Sequence, residues 1–154
     1  MLTGVKVCDA MTTKPVTVPS TLRIDKCAQL MAEHHVGSLL VSEGGKVVGI
    51  FTEQDVVRKC VALGLQPWSV HAKDVMSFPL ITIRPEEDVF EALRMMADHN
   101  VRHLAVRDDR DRFVGFITGK DILKIQPQLF ELLAERIQLR EANRKPLKTI
   151  RMSR

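Results

Sequence analysis

GIFTEQDVV at residues 49–57 and GFITGKDIL at residues 115–123 are two copies of one pattern. In each, a glycine and two apolar residues lead into a threonine, and an aspartate follows three positions on. The apolar residues read as the end of a strand, and the residues from Glu53 and from Gly119 onward read as a helix. Thr52 and Thr118 then stand where an N-cap belongs, with Asp55 and Asp121 at the third helical position, so each junction predicts a capping box or a close relative of one. A helix start also offers N–H groups and the positive end of its dipole to a phosphate. A hydroxyl at the cap adds a donor, and a carboxylate beside it can accept both hydroxyls of a ribose.

Working outward, the rest of each half repeats as well. VKVCDAMTTKPVTVPSTLRI (residues 5–24) is echoed by VHAKDVMSFPLITIRPEEDV (residues 70–89), matching Asp9 with Asp74 and Met11 with Met76 at a spacing of 65. At the glycine-threonine-aspartate pattern the spacing is 66, and an added residue in a turn accounts for the change, because loops tolerate insertions. Pro15–Val18 and Leu80–Ile83 read as short strands followed by turn residues. Leu22, Cys27, Leu30, Met31 and His34 then fall at helical spacing, as do Val89, Leu93, Met96 and Ala97. Next come SLLV and VVGIF around Gly44 and Gly45, and HLAV and FVGFIT around a longer polar turn, each a hairpin signature. The expected class is α+β, or mixed α/β: two repeats of strand, helix, strand, strand, helix with pseudo-two-fold symmetry. Residues 1–66 form the first repeat, 67–125 the second, and 126–154 a C-terminal amphipathic helix and basic tail. A unit of ~60 residues is marginal alone, which implies that the halves share a core.

Composition narrows the function. The 154 residues are 45% hydrophobic and 27% charged, which excludes disorder and collagen-like repeats. Net charge is +4, but Arg136–Arg154 alone holds an excess of +6, leaving residues 1–135 at −2. The basicity therefore belongs to a tail rather than to the body. No apolar run approaches the ~18 residues of a membrane span, and MLTGVKVCDAM lacks the pattern of a secretory signal, so the expected compartment is the cytoplasm and no membrane partner is expected. Cys8, Cys27 and Cys60 form no CxxC, and Cys27, matched by Ala92, reads as a small packed residue. His34 and His99 lie near helix ends, where a basic group suits the dipole, and Met31, Met95 and Met96 read as core. No GxSxG, HExxH or GxxxxGK[ST] is present, so neither catalysis nor a metal is expected.

The duplicated glycine-threonine-aspartate pattern, the DAM and DVM segments, and HHVGSLLV matched by HNVRHLAV together resemble a tandem pair of CBS domains, the Bateman module, over residues 5–125. That resemblance implies a stand-alone regulatory or energy-sensing module that binds adenine nucleotides (AMP, ADP or ATP) in clefts between the repeats, needs no cofactor and has no enzymatic activity. It implies Thr118 and Asp121 as phosphate and ribose contacts in a second cleft, with Arg102 and His103 facing the phosphates and Met11, Thr12, Thr13 and Val16 against the base. Lys120 and Lys124 either add charge there or are solvated helix residues. The first cleft would use Thr52 and Asp55 with Gly37, Ser38, Met76, Ser77 and Ile81, and it lacks a counterpart of Arg102. S-adenosylmethionine is an alternative ligand, and an unidentified regulated protein is an expected partner. Such modules pair, so a homodimer is expected with the C-terminal helix near the interface, its face carrying Leu129, Phe130, Leu133 and Ile137.

The competing class is nucleic-acid association through the tail. It has no aromatic residue after Phe130, so base stacking is not supplied there. Deleting residues 144–154 is expected to leave nucleotide binding unchanged. Any retention on RNA or DNA would vanish with that segment and would fall steeply between low and moderate salt.

Overall fold

The computed structural model describes residues 2–129 together with 131, 134 and 135. The first half contains α1 (Val7–Ala10), β1 (Thr17–Pro19), α2 (Ile24–His34), β2 (Ser38–Glu43), β3 (Lys46–Thr52) and α3 (Glu53–Val56), which runs on as a π-helical segment, Val57–Val61. The second contains α4 (Ala72–Val75), β4 (Thr82–Ile83), α5 (Val89–Asp98), β5 (His103–Arg107), β6 (Phe113–Thr118) and α6 (Gly119–Ile125). Each half builds one three-stranded sheet, β1-β2-β3 or β4-β5-β6, whose first pair is parallel and second antiparallel. The expected mixed α+β repeat is therefore observed twice.

Local chemistry explains the elements. α2 ends at His35 with φ 52°, and α5 is followed by Asn100 at φ 57°; the left-handed turn stops each helix at an equivalent place. Gly44 and Gly45, at φ 57° and 78°, make the tight turn between β2 and β3. The longer β5–β6 turn is organised instead by Asp108, which accepts from the N–H groups of Arg110 and Arg112. β1 and β4 begin later than their apolar patterns suggest. Pro15 has no N–H to give a ladder, and Val16 and Ile81 contribute only their carbonyls, each accepting from the next strand at 3.0 Å.

Two short helices absent from the sequence expectation open the halves, and they explain the repeated Asp9 and Asp74. Each aspartate accepts from the N-cap N–H of its helix, Lys6 at 3.2 Å and His71 at 2.9 Å. Neither helix packs on its own half. Val7, fully buried, joins Ile83, Val89, Leu104, Ile117 and Ile122 in the second core, whereas Ala72 and Val75 join Val18, Ile24, Leu39 and Phe51 in the first. The backbone bonds are reciprocal: Val7 and Cys8 donate to Glu87 and Pro85, and Ala72 and Lys73 donate to Leu22 and Ser20. Burying a side chain such as Val7 is worth about 1.5–3 kcal/mol, so each half draws part of its stability from the other. Asp88 fastens the N-terminal segment further, accepting from both N–H and hydroxyl of Thr3 and from the Gly4 N–H.

After each short helix the chain crosses the motif strand of the other half. Thr12 exchanges two backbone hydrogen bonds with Phe116, at 2.8 and 2.9 Å, and Ser77 does the same with Ile50, at 2.8 and 3.1 Å. The crossing explains the motif glycines. A Cβ on Gly115 would lie 2.6 Å from Met11 Sδ and 3.0 Å from the Thr12 carbonyl; one on Gly49 would meet Met76 Sδ at 2.6 Å and the Ser77 carbonyl at 3.0 Å. Each glycine follows an irregularity in strand register. Between the sheets Leu40, Ile50 and Phe116 form a small shared core, and Arg107 Nη2 donates to the Val47 carbonyl across the seam at 3.2 Å.

Cys27, Met31 and Met96 are buried as expected, and burial pushes the Cys27 thiol up to about 11, with Asp25 adding to the rise. Leu129, in a 3-10 turn (Pro127–Leu129), packs into the second core. The remainder of the expected C-terminal helix face, with Phe130, Leu133 and Ile137, and the basic tail from Arg136 lie outside the described residues. Among the described residues no helix is long and apolar enough to cross a membrane. Gly115→Val is expected to lower unfolding stability by about 1–3 kcal/mol through overpacking against the crossing segment. Urea titration checks it, and a wild-type midpoint would refute the steric account.

Candidate functional site

The two threonine-aspartate junctions are superimposable in their bonding. Thr52 donates to Asp55 Oδ2 through its N–H at 2.9 Å and its hydroxyl at 3.0 Å, and its Oγ1 accepts from the Asp55 N–H at 3.3 Å. Thr118 donates to Asp121 Oδ2 at 3.0 and 2.8 Å and accepts from the Asp121 N–H at 3.1 Å. The capping boxes anticipated from sequence are both present. The first helical N–H is also spent, Glu53 on the Gly37 carbonyl at 3.1 Å and Gly119 on the Arg102 carbonyl at 3.3 Å. The helix starts therefore do not present the open row of N–H donors that the sequence suggested. Three of the N–H groups at each start, those of Thr52, Glu53 and Asp55 or of Thr118, Gly119 and Asp121, are spent on the capping box and on the loop before β2 or β5.

The crossing segments lie beside these junctions. Met11 and Thr12 sit over Gly115 and Phe116 of β6, the strand that ends at Thr118, and Met76 and Ser77 sit over Gly49 and Ile50 of β3, the strand that ends at Thr52. Half-buried Val16 and Ile81 continue these segments toward β1 and β4, and Thr13 is exposed between Thr12 and Val16. Arg102, exposed, and His103, half-buried, lead into β5, where His103 lies opposite Thr118 in the ladder. Gly37 and Ser38 occupy the equivalent place before Thr52. Lys120 and Lys124 are exposed on α6.

The junctions differ in charge. Asp55 is only 7% exposed, and its Oδ1 receives the Lys59 ammonium at 2.9 Å. Lys59 also donates to the Val75 carbonyl at 2.9 Å and to Ser77 Oγ at 3.5 Å. At the second junction the position four residues after Asp121 is Ile125, and among the described residues Asp121 Oδ1 accepts no hydrogen bond. Glu53 puts a carboxylate above Gly37, 3.4 Å from where a Cβ would stand, whereas its counterpart is Gly119. Sequence reasoning passed over Lys59 and Glu53. The aspartate-lysine spacing of four was a legible signal, since such pairs meet on a helix.

His103 connects the two junctions. Its ring stacks on Phe116 with centroids 5.5 Å apart. Burial is the main influence on the imidazole and lowers its pKa below the ordinary 6.5; Asp55, from the other repeat, pulls it up and Arg102 lowers it.

This pairing of repeats has relatives. The CBS domain family model matches residues 7–62 and again 72–127. The chain belongs to the CBS domain family. This CBS pair is 38% identical over 112 residues to MK0525 of Methanopyrus kandleri, covering 72% of the chain and 57% of that protein, so it spans little more than half of that relative's length. It is 32% identical to the CBS domain-containing protein YhcV of Bacillus subtilis, covering 75% and 81% of the two chains. Among solved structures, the CBS domain pair of protein MJ0100, in complex with 5′-methylthioadenosine and S-adenosyl-L-methionine, has a TM-score of 0.71 at 27% identity, covering 80% and 97%.

A histidine that binds a proton less readily when folded destabilises the fold on acidification, because the unfolded chain gains the proton first. His103's contribution is thus fully present above the ordinary value of 6.5 and is lost as pH falls below it toward the lower folded value. Denaturant unfolding at about pH 7.5 and about pH 5.5 is expected to show this decline, and His103→Phe to flatten it. An equal slope in the variant would remove His103 from the account.

Proposed function

We propose that this chain is a regulatory CBS pair without catalytic activity that binds AMP, ADP or ATP in its second cleft, between Asp121 and the crossing segment of the first repeat. One observation carries the reading: among the described residues Asp121 is held by Thr118 through one oxygen only, leaving Oδ1 for the hydroxyls of a ribose. Arg102, Lys120 and His103 supply positive or hydrogen-bonding groups on the side where phosphates would lie, and an arginine suits phosphate geometry. The half-buried Met11 and Val16 offer apolar surface to the base. The Thr118 hydroxyl donates to Asp121, so its role is to aim the carboxylate until a phosphate competes for it.

S-adenosylmethionine is the second reading, favoured by the ligands of the MJ0100 pair. It shares the ribose and adenine but lacks the phosphates. Regulation requires a partner or second site that responds differently to the free and bound states. Copies of the chain are also proposed to pair, which is supported by exposed Val57, Val61, Leu63 and Trp68 where the first repeat passes into the second.

Calorimetry with AMP, ADP, ATP and S-adenosylmethionine tests the assignment. Asp121→Ala is expected to weaken every adenosine ligand by roughly 10- to 100-fold, as for a lost hydrogen bond to a charged group. Arg102→Ala is expected to weaken ATP more than S-adenosylmethionine. Binding of none of the four would refute the function, and unchanged affinity in Asp121→Ala would refute the site alone.

A further inference from the structure

We propose that Lys59 is a built-in occupant of the first cleft, so that the chain takes one phosphorylated adenosine ligand, in the second cleft only. This rests on the reading of Asp121 as the ribose contact and concerns how its counterpart is disabled.

Both oxygens of Asp55 are engaged from within the chain. Its Oδ2 receives the N–H and hydroxyl of Thr52, and its Oδ1 receives the Lys59 ammonium. The ammonium is itself held by three oxygens, from Asp55, the Val75 carbonyl and Ser77, the last two belonging to the segment that crosses β3. Lys59 thus spans the cleft wall to wall, joining the motif helix to the crossing segment as a ligand would. Ribose hydroxyls could reach Asp55 only by displacing a charge-assisted bond to a carboxylate that is almost wholly buried. On the phosphate side the Glu53 carboxylate, over Gly37, repels a second anion. At the matching positions of the second repeat stand Ile125 and Gly119, which supply neither charge.

The mirror substitutions make the test. AMP and ATP uptake is measured by equilibrium dialysis on the full chain, with thermal melts as the folding control. Wild type is expected to take one equivalent, and Asp121→Ala to lose it. Glu53→Gly with Lys59→Ile, which copies the second junction onto the first, is expected to take two. Ile125→Lys places an ammonium four residues after Asp121, the spacing at which Lys59 meets Asp55. Position 125 is 44% exposed and accommodates it. This variant is expected to weaken uptake at least ~10-fold. Two equivalents in wild type overturn the inference, as does a folded double variant that stays at one or an Ile125→Lys protein with wild-type affinity. All three leave the nucleotide reading standing. No uptake of either nucleotide by any of these proteins overturns both.

Discussion

Each half of this molecule is completed by a segment of the other, and that exchange constrains everything else. Residues preceding β1 cap the second core with Val7 and cross β6 at Thr12, while those preceding β4 cap the first with Ala72 and Val75 and cross β3 at Ser77. Because the crossing backbone exchanges hydrogen bonds with the motif strand, it lies too close for a side chain beneath it, and glycine stands at 49 and 115. The same passage lays the crossing segment on the strand that ends at the threonine-aspartate junction. The proposed cleft is therefore built from both repeats.

Within that frame the junctions work as rigid holders. A threonine, an aspartate and the carbonyl of the preceding loop absorb most of the helix-start donors, which orients the carboxylate and leaves charge selection to the surrounding side chains. Equivalent scaffolds then diverge through few residues. Lys59 and Glu53 neutralise one carboxylate and add a negative charge nearby, whereas among the described residues Asp121 is engaged through one oxygen, with Ile125 and Gly119 at the matching positions. His103 stands stacked on Phe116, and burial lowers its imidazole pKa more than Asp55 of the other repeat draws it upward.

Much of this was legible in the residues. Apolar periodicity located both long helices and both hairpins, and the Thr-x-x-Asp spacing announced the capping boxes, because these are local features set by neighbours a few positions apart. The short helices α1 and α4 escaped notice, since four residues carry no measurable period; only the repeated Asp9 and Asp74 marked them. The expectation of open N–H groups at the helix starts did not survive, because the acceptors that consume them, the carbonyls of Gly37 and Arg102, come from a loop some sixteen residues upstream in sequence.

What the sequence determined by itself was the duplication, the order of elements, the capping aspartates and the concentration of positive charge in residues 136–154. These follow from composition and from interactions along a single stretch of chain. Tertiary structure alone decided which half each opening segment would complete, why the motif begins with glycine, and which aspartate keeps an oxygen to spare. Those outcomes depend on contacts between residues such as Met11 and Gly115, or Lys59 and Val75, whose proximity arises only when the crossing brings distant backbone together.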